Sequence, residues 1–280
     1  MFGPVEPLTI ADLPGCLALA VDRAWTAEEH KWRLLFEVGT VYGVRDETGA
    51  PAGVVVLTRY GDELAAIGMM LVAERYGRRG MGRRIMTHVL AEAGGATVFL
   101  NATPMGRPLY ERLGFVPVSS THTFVGELAA PPGHDATSRP AEPGDLAAIR
   151  RLDAQANGVD RPRLVRFLPG FTEQLRVIER DGGIAGYAGG WRNTDGLNIG
   201  PVIADRVEDA AALIADVAAA AAGGGGPVRI DLDGGHPWLS EWAAGHGLAL
   251  RRVEPVMMHG GTALPGDRSR WFASLMQATG

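Results

Sequence analysis

Apolar residues along this chain fall into short unbroken runs that alternate with stretches of helical spacing. Ile67 to Ala73 is a continuous apolar run of strand length. After it Met81, Ile85, Met86, Val89 and Leu90 recur every three or four residues, which predicts a helix beginning inside the intervening turn. Upstream, Val5 to Thr9 reads as a strand and Ala11-Asp12-Leu13-Pro14 as a helix start with Asp12 near the N-cap. That helix carries Leu13, Leu17, Ala20, Val21 and Ala24 inward. Trp25 to Val38 predicts a second helix with Trp32, Leu35 and Phe36 on its core side. Thr40 to Val44 and Ala52 to Tyr60 read as strands joined by the polar turn Asp46 to Ala50. A strand over 96–100, a helix over 104–113 and strand structure over 115–126 complete the order β-α-α-β-β-β-α-β-α-β for residues 1–127.

Leu128 to Pro140 has no period and is rich in Pro, Gly and small polar residues, so 128–140 reads as a linker. Beyond it the beginning repeats. Thr9-Ile-Ala-Asp12-Leu13 is answered by Glu142-Pro-Gly-Asp145-Leu146, each leading into an amphipathic helix. A turn at Asp181-Gly-Gly, strands over 186–191 and 197–203, a helix over 207–222 ended by Gly223–Gly226 and Pro227, and a strand over 228–232 continue the echo. Residues 141–280 are therefore expected to be a second copy of the first fold.

Composition adds bounds. A length of 280 residues gives room for two domains of ordinary size, each with its own core. A formal charge of −5 argues against nucleic-acid binding through a general basic surface. Nearly all positive charge is arginine, Lys31 being the one lysine, and this fits a coding bias that also favours Ala, Gly and Pro. The lone Cys16 on an apolar helical face has no partner for an internal disulfide, which fits a reducing cytoplasm. No apolar run reaches membrane-spanning length and no signal-peptide pattern is present, so a cytoplasmic protein with no membrane partner is expected. The histidines show no metal-ligand spacing, so no metal site is predicted.

The candidate chemistry lies in the turn Gly77-Arg78-Arg79-Gly80-Met81-Gly82. A strand, a glycine turn and a helix N-terminus make an anion site, because the first N–H groups of the helix lack intrahelical acceptors and its dipole favours negative charge. Gly80 and Gly82 let a phosphate approach the backbone, and Arg78, Arg79, Arg83 and Arg84 supply guanidinium groups suited to phosphate oxygens. The bland alternative is a glycine turn with solvated arginines. The dinucleotide fingerprint fails, because Arg83, Arg84 and Ile85 follow Gly82, and no Gly-Lys-Ser/Thr exists for a triphosphate loop.

What remains resembles the acetyl-coenzyme A loop of the GCN5-related N-acetyltransferases (GNAT), Gln/Arg-x-x-Gly-x-Gly/Ala after a strand, with Gly77 standing at the Gln/Arg position. A second stretch, Asn101-Ala-Thr-Pro-Met-Gly-Arg-Pro-Leu-Tyr-Glu-Arg-Leu-Gly-Phe115, resembles the family's Asn-x-x-Ala-x-x-x-Tyr-x-x-x-Gly-Phe. Tyr110 keeps its spacing to Gly114, while Thr103 stands where Asn is usual and Gly106 where Ala is usual. The tandem layout is similar to that of bacterial double-domain acetyltransferases. The resemblance implies two tandem folds of the α/β (α+β) class, each a mixed, mostly antiparallel sheet flanked by helices. It implies acetyl-CoA as co-substrate, held by Met70, Leu71, Val72, the loop Gly77 to Arg84, Thr103 and Arg107, with Tyr110 as the acid for the departing thiolate. Trp25, Glu28 and Glu29 border the acceptor by the same resemblance.

The second copy lacks this chemistry. Ile203 to Asp209 holds three acidic residues and no glycine where the cradle belongs, and Ala243 stands where a tyrosine would recur. It is expected to be non-catalytic, completing an acceptor pocket or serving a dimer interface, in a monomer or homodimer. The expected reaction is acetyl transfer to a primary amine, that of a small molecule if the two domains enclose a pocket. Acetylation of a protein N-terminus or lysine, and acetyl-CoA sensing without turnover, stand as alternatives. The general base is not legible: Glu28, Glu29, Asp62, Glu63, His122 and a water relay all remain open.

Overall fold

The computed structural model describes residues 3–128, 136–221 and 226–280. The first half runs β1 (Glu6–Pro7), α1 (Leu13–Asp22), α2 (Glu29–Val38), β2 (Thr40–Arg45), β3 (Pro51–Tyr60), β4 (Leu64–Val72), α3 (Met81–Ala93), β5 (Thr97–Asn101), α4 (Arg107–Arg112) and β6 (Val116–Gly126). The second half repeats that order as β7 (Arg139–Pro140), α5 (Leu146–Asn157), α6 (Pro162–Phe171), β8 (Gln174–Arg180), β9 (Gly183–Asn193), β10 (Gly196–Ala204), α7 (Val207–Ala220), β11 (Val228–Asp233), α8 (Pro237–Gly245) and β12 (Leu248–His259). It then adds a strand with no counterpart, β13 (Trp271–Ala273).

Two boundaries differ from the pattern in the sequence. Helix α2 starts at Glu29, so Trp25 lies in the connection before it, where Ala24 has a left-handed φ of 57° that interrupts helical geometry. Helix α4 starts at Arg107 rather than Pro104. The Gly106 amide donates to both the carbonyl and the hydroxyl oxygen of Thr103, so a separate turn forms first and Pro108 sits in the first helical turn. Residues 129–135 of the expected linker and Ala222–Gly225 lie outside the described residues.

The chain divides into two compact units that are not consecutive in sequence. The first holds residues up to Val116 with Met257–Thr262 and Thr279; the second holds Pro117–Val256, Ala263–Ala278 and Gly280. Division by compactness thus places nearly all of β6 in the second unit, not with the residues that precede it. The reason is pairing: β6 runs antiparallel to β11, from Gly126 opposite Val228 to Thr121 opposite Asp233.

In the first unit β1, β2, β3 and β4 pair antiparallel in order, and β5 joins β4 parallel. Strand β3 is buried on both faces. Val55 and Leu57 pack with Met81, Ile85, Met86 and Val89 of α3, in a core that Met257 also enters. Val54 and Val56 point to the other face by alternation, where α1 and α2 contact the strand. In the second unit the order is β12-β6-β11-β13-β10-β9-β8-β7, and α7 packs on it through Ala210, Leu213, Ile214 and Val217. Each unit is thus a mixed, mostly antiparallel sheet with helices on it.

Candidate active site

The site grows from a fault in β4. Opposite the single residue Val55 of β3, β4 places two, Met69 and Met70, and Met69 takes a left-handed φ of 51°. This β-bulge bends the strand. Strand β5 pairs with β4 only from Leu64–Thr97 to Ile67–Leu100, so beyond Ile67 the two parallel strands separate. Residues Gly68 to Val72 keep their β3 partners on one side and have no β5 partner on the other. An extended ligand carrying amides fits such an edge as an added strand.

The glycine loop stands at the end of that edge. Glu74–Tyr76 makes one tight turn, Arg78 and Gly80 adopt left-handed φ values of 59° and 80°, and α3 begins at Met81 with Gly80 as N-cap. The first hydrogen bond of the helix runs from Arg84 N to Gly80 O, so the amides of Met81, Gly82 and Arg83 have no intrahelical acceptor. No acidic side chain lies in the first turn of α3. A Cβ on Gly82 would lie 3.3 Å from Leu109 Cδ2, 3.5 Å from Met70 Cε and 3.9 Å from Val72 Cγ2. Any larger side chain there would fill the space between the β4 edge and α4. Arg78, Arg79, Arg83 and Arg84 are exposed, and among the described residues Arg78, Arg79 and Arg83 make no ion pair. Gly77 is exposed at the loop's entry. Arg75, by contrast, is committed to Asp46 at 2.6 Å.

Tyr110 lies on α4, next to Leu109 in sequence. It is buried, its ring lies 5.9 Å from that of Phe115, and burial pushes its phenol up to about 12. A Cβ on Gly106 would lie 2.8 Å from Tyr110 Cε2 and 3.1 Å from its hydroxyl. That contact accounts for glycine where the family pattern has alanine: the tyrosine ring occupies the space of the methyl. The Thr103 hydroxyl oxygen accepts from Gly106 N at 3.2 Å. Arg107 is exposed and paired with Glu111 at 2.7 Å, one turn along the helix.

The end of α1 reaches both lips of the opening. The Asp22 carboxylate accepts from Glu74 N at 2.8 Å, just past β4, and Arg23 donates to Met105 Sδ at 3.3 Å, in the loop after β5. Trp25 follows at once and is 39% exposed, enough ring surface to line a pocket wall. Asp22, Arg23 and Met105 escaped the reading of the sequence, because no periodicity or motif marks residues that meet only across the opening. Glu28 is held by Lys31 at 3.1 Å and Glu29 by Arg33 at 2.6 Å, so both carboxylates serve α2. Asp62 and Glu63 precede β4 at its far end, roughly 20 Å from Met70 at about 3.3 Å per residue, too far for a base at that point. His122 belongs to the second unit, bonded to Ser120 Oγ at 3.1 Å. Cys16 is fully buried and its thiol is pushed up to about 12 by burial, which makes it inert.

The second unit has a different loop at the matching place. Two residues, Asp205 and Arg206, separate β10 from α7, where eight separate β4 from α3. Its acidic groups are each taken by an arginine: Asp205 by Arg270, Glu208 by Arg206 at 3.4 Å, and Asp209 by Arg180 at 2.6 Å. Ala243 is buried in α8.

Comparison with known proteins bears on both units. Two family models, each described as an acetyltransferase (GNAT) domain, match residues 26–131 and 149–273. The chain is 28% identical over 271 residues to the uncharacterized N-acetyltransferase YitH of Bacillus subtilis, covering 95% of this chain and 94% of that one. Among solved structures it is similar to a protein from Pyrococcus horikoshii (TM-score 0.81, 18% identity, covering 99% of this chain and 95% of the other). It is also similar to a tandem GNAT protein from the clavulanic acid biosynthesis pathway (TM-score 0.68, 14% identity, 93% and 99%). Among the described residues no helix is long and apolar enough to cross a membrane.

Proposed function

The chain belongs to the GNAT acetyltransferases as an acetyl-transferring enzyme with two such domains in tandem, and on that premise we propose that its first unit transfers acetyl from acetyl-CoA to the primary amine of a small molecule. The observation that supports this most is the β4 edge from Gly68 to Val72, left without a β5 partner and ending at a helix N-terminus without acidic groups, with Leu109 of α4 beside it.

The residues present fit the co-substrate, because the space a Cβ on Gly82 would fill lies between the β4 edge and Leu109. The Leu71–Val72 segment takes the amide-bearing arm as an added strand, through the Val72 N–H, which points to the open edge while that of Leu71 points to β3, and Thr103 donates its hydroxyl proton to the arm. The amides of residues 81–83 bind the pyrophosphate, with Arg78, Arg79, Arg83 and Arg84 around it. Gly77 shapes the entry to this loop, and Arg107 adds positive charge at the rim. A backbone N–H near Met70 or Leu71, at the bulge, stabilises the oxyanion that develops at the carbonyl under attack.

Tyr110 holds a proton for the leaving sulfur. A phenol near 12 and a thiol near 8.5 differ by roughly three to four units, so complete transfer would be uphill by about 5 kcal/mol. The hydroxyl therefore works by donating a hydrogen bond to the charge growing on sulfur as the bond to carbon breaks. Trp25 walls the acceptor. The carboxylates of Glu28 and Glu29 are engaged within α2, so they shape that wall and the proton of the attacking amine passes to water.

The test is thiol release from acetyl-CoA in the presence of a panel of small amines, with mass detection of the acetylated product. Amine-dependent product that disappears in a Gly80→Glu, Gly82→Glu variant is the expected result. No product with any amine, or product unaffected by that variant, would defeat the proposal.

A further inference from the structure

The second unit contains the same fault as the first. Opposite the single residue Gly189 of β9, β10 places two, Gly200 and Pro201, as β4 places Met69 and Met70 opposite Val55. Val202 and Ile203 thus correspond to Leu71 and Val72. Strand β10 pairs parallel with β11 only from Leu197–Val228 to Ile199–Ile230, and beyond that the two separate as β4 and β5 do. Here the gap is occupied. Strand β13 runs antiparallel to β10, with Ala273 opposite Val202 and Trp271 opposite Ile203, and on its other side Ala273 pairs with Leu232 of β11.

We propose that Trp271–Ala273 is a built-in stand-in for the amide arm of acyl-CoA, so that the second unit keeps the cofactor fold with its slot filled and each chain takes up one acyl-CoA. The proposal rests on the reading that the β4 edge of the first unit is the slot for that arm.

The flanks of the strand are fixed accordingly. The His236 ring lies 2.9 Å from Trp271 O and its centroid 4.3 Å from that of Phe272. Trp191 Nε1 donates to Leu275 O at 3.1 Å, and Arg161 donates to Gly280 O at 3.0 Å. A Cβ on Gly200 would overlap Ser274 O, so glycine at the first bulge position is what admits the segment. The matching position in the first unit is Met69, which has a side chain. Arg270 completes the seal by pairing with Asp205, at the point where the first unit has its anion loop. A backbone segment, bonded on both edges, takes the place of the ligand's amides, and a carboxylate–guanidinium pair takes the place of phosphate on amide.

Hydrogen exchange read by mass spectrometry tests this on the whole protein, with and without saturating acetyl-CoA. The expected result is slowed exchange over Gly68–Arg84 with no change over Val202–Ile203 or Trp271–Ala273. Acetyl-CoA that slows 202–203, or speeds 271–273, would mean the ligand enters the second slot, which overturns the proposal. No change at 68–84 would remove the reading of the first unit and the proposal with it, a failure seen in different peptides. In an Ala273→Pro variant, which cannot donate to the ladder, exchange at Val202, whose N–H points to β13, should rise by about 100-fold, while Ile203 and Leu232, whose N–H groups point to β9 and β6, and α7 stay protected. Unchanged protection at Val202 would show that β13 does not hold that edge. Loss of protection throughout the unit would show that β13 is integral core and not the filling of a slot, and would equally overturn the proposal.

Discussion

Tyr110 and Gly106 form one device: the ring lies where a methyl on residue 106 would be, so the glycine sets the position of the hydroxyl. Tyr110→Phe is expected to lower kcat by about 100-fold or more, with the acetyl-CoA dissociation constant unchanged, in parallel turnover and calorimetric measurements. Equal loss of both would make the tyrosine a packing residue. Gly106→Ala restores the residue usual in the family and is nonetheless expected to cost about 10-fold in kcat, because the ring must shift from its packing on Phe115. The pH dependence follows from burial. A group whose folded pKa is raised stays protonated up to that value, so Tyr110 keeps its proton up to about 12. The kcat profile should therefore show no alkaline decline between pH 8 and pH 10 attributable to this group, that window lying roughly two or more units below the raised value. A decline in that range that vanishes in Tyr110→Phe would contradict the burial argument.

At the scale of elements, the strand–loop–helix from β4 to α3 was legible because each part has its own local cause: an apolar run, glycines, then helical spacing. The bulge at Met69–Met70 was not, since it is defined by pairing with β3 and no residue type in the strand requires it. The late start of α4 was also hidden, because Pro104 is as good a helix opener as Pro108 until the Thr103 turn is seen. In the second unit, α5, α6 and β9 meet at a buried cluster: Asp153 accepts from Arg161 at 2.7 and 2.9 Å and from the Tyr187 hydroxyl at 2.5 Å. Neither charge has access to water, so Asp153→Asn leaves a buried guanidinium short of its counter-charge. A loss of about 3–5 kcal/mol in urea unfolding is expected, and a loss under about 1 kcal/mol would show that the cluster is not desolvated as described.

For the whole molecule, the order of elements was readable twice over in the sequence, once in each half, but the membership of the units was not. Val116 to Gly126 has the same alternation whichever strand it pairs with, so nothing in the pattern assigns it to β11. Met257, whose burial in the first core lies some 140 residues from its nearest sequence neighbours there, is equally silent. Strand β13 is three residues long, too short for a period to register. The acidic loop at 205–209 pointed to a silent second unit on electrostatic grounds; the structure adds a strand, β13, paired between β10 and β11.

One acyl-CoA site is expected, in the first unit, built on the β4 edge and the Gly80–Gly82 cradle. The most direct measurement is a calorimetric titration of the protein with acetyl-CoA beside the Gly80→Glu, Gly82→Glu variant. One site per chain is expected in the parent protein and none in the variant, whose carboxylates stand where the pyrophosphate would sit. Two sites per chain, or binding that survives both substitutions, would contradict this.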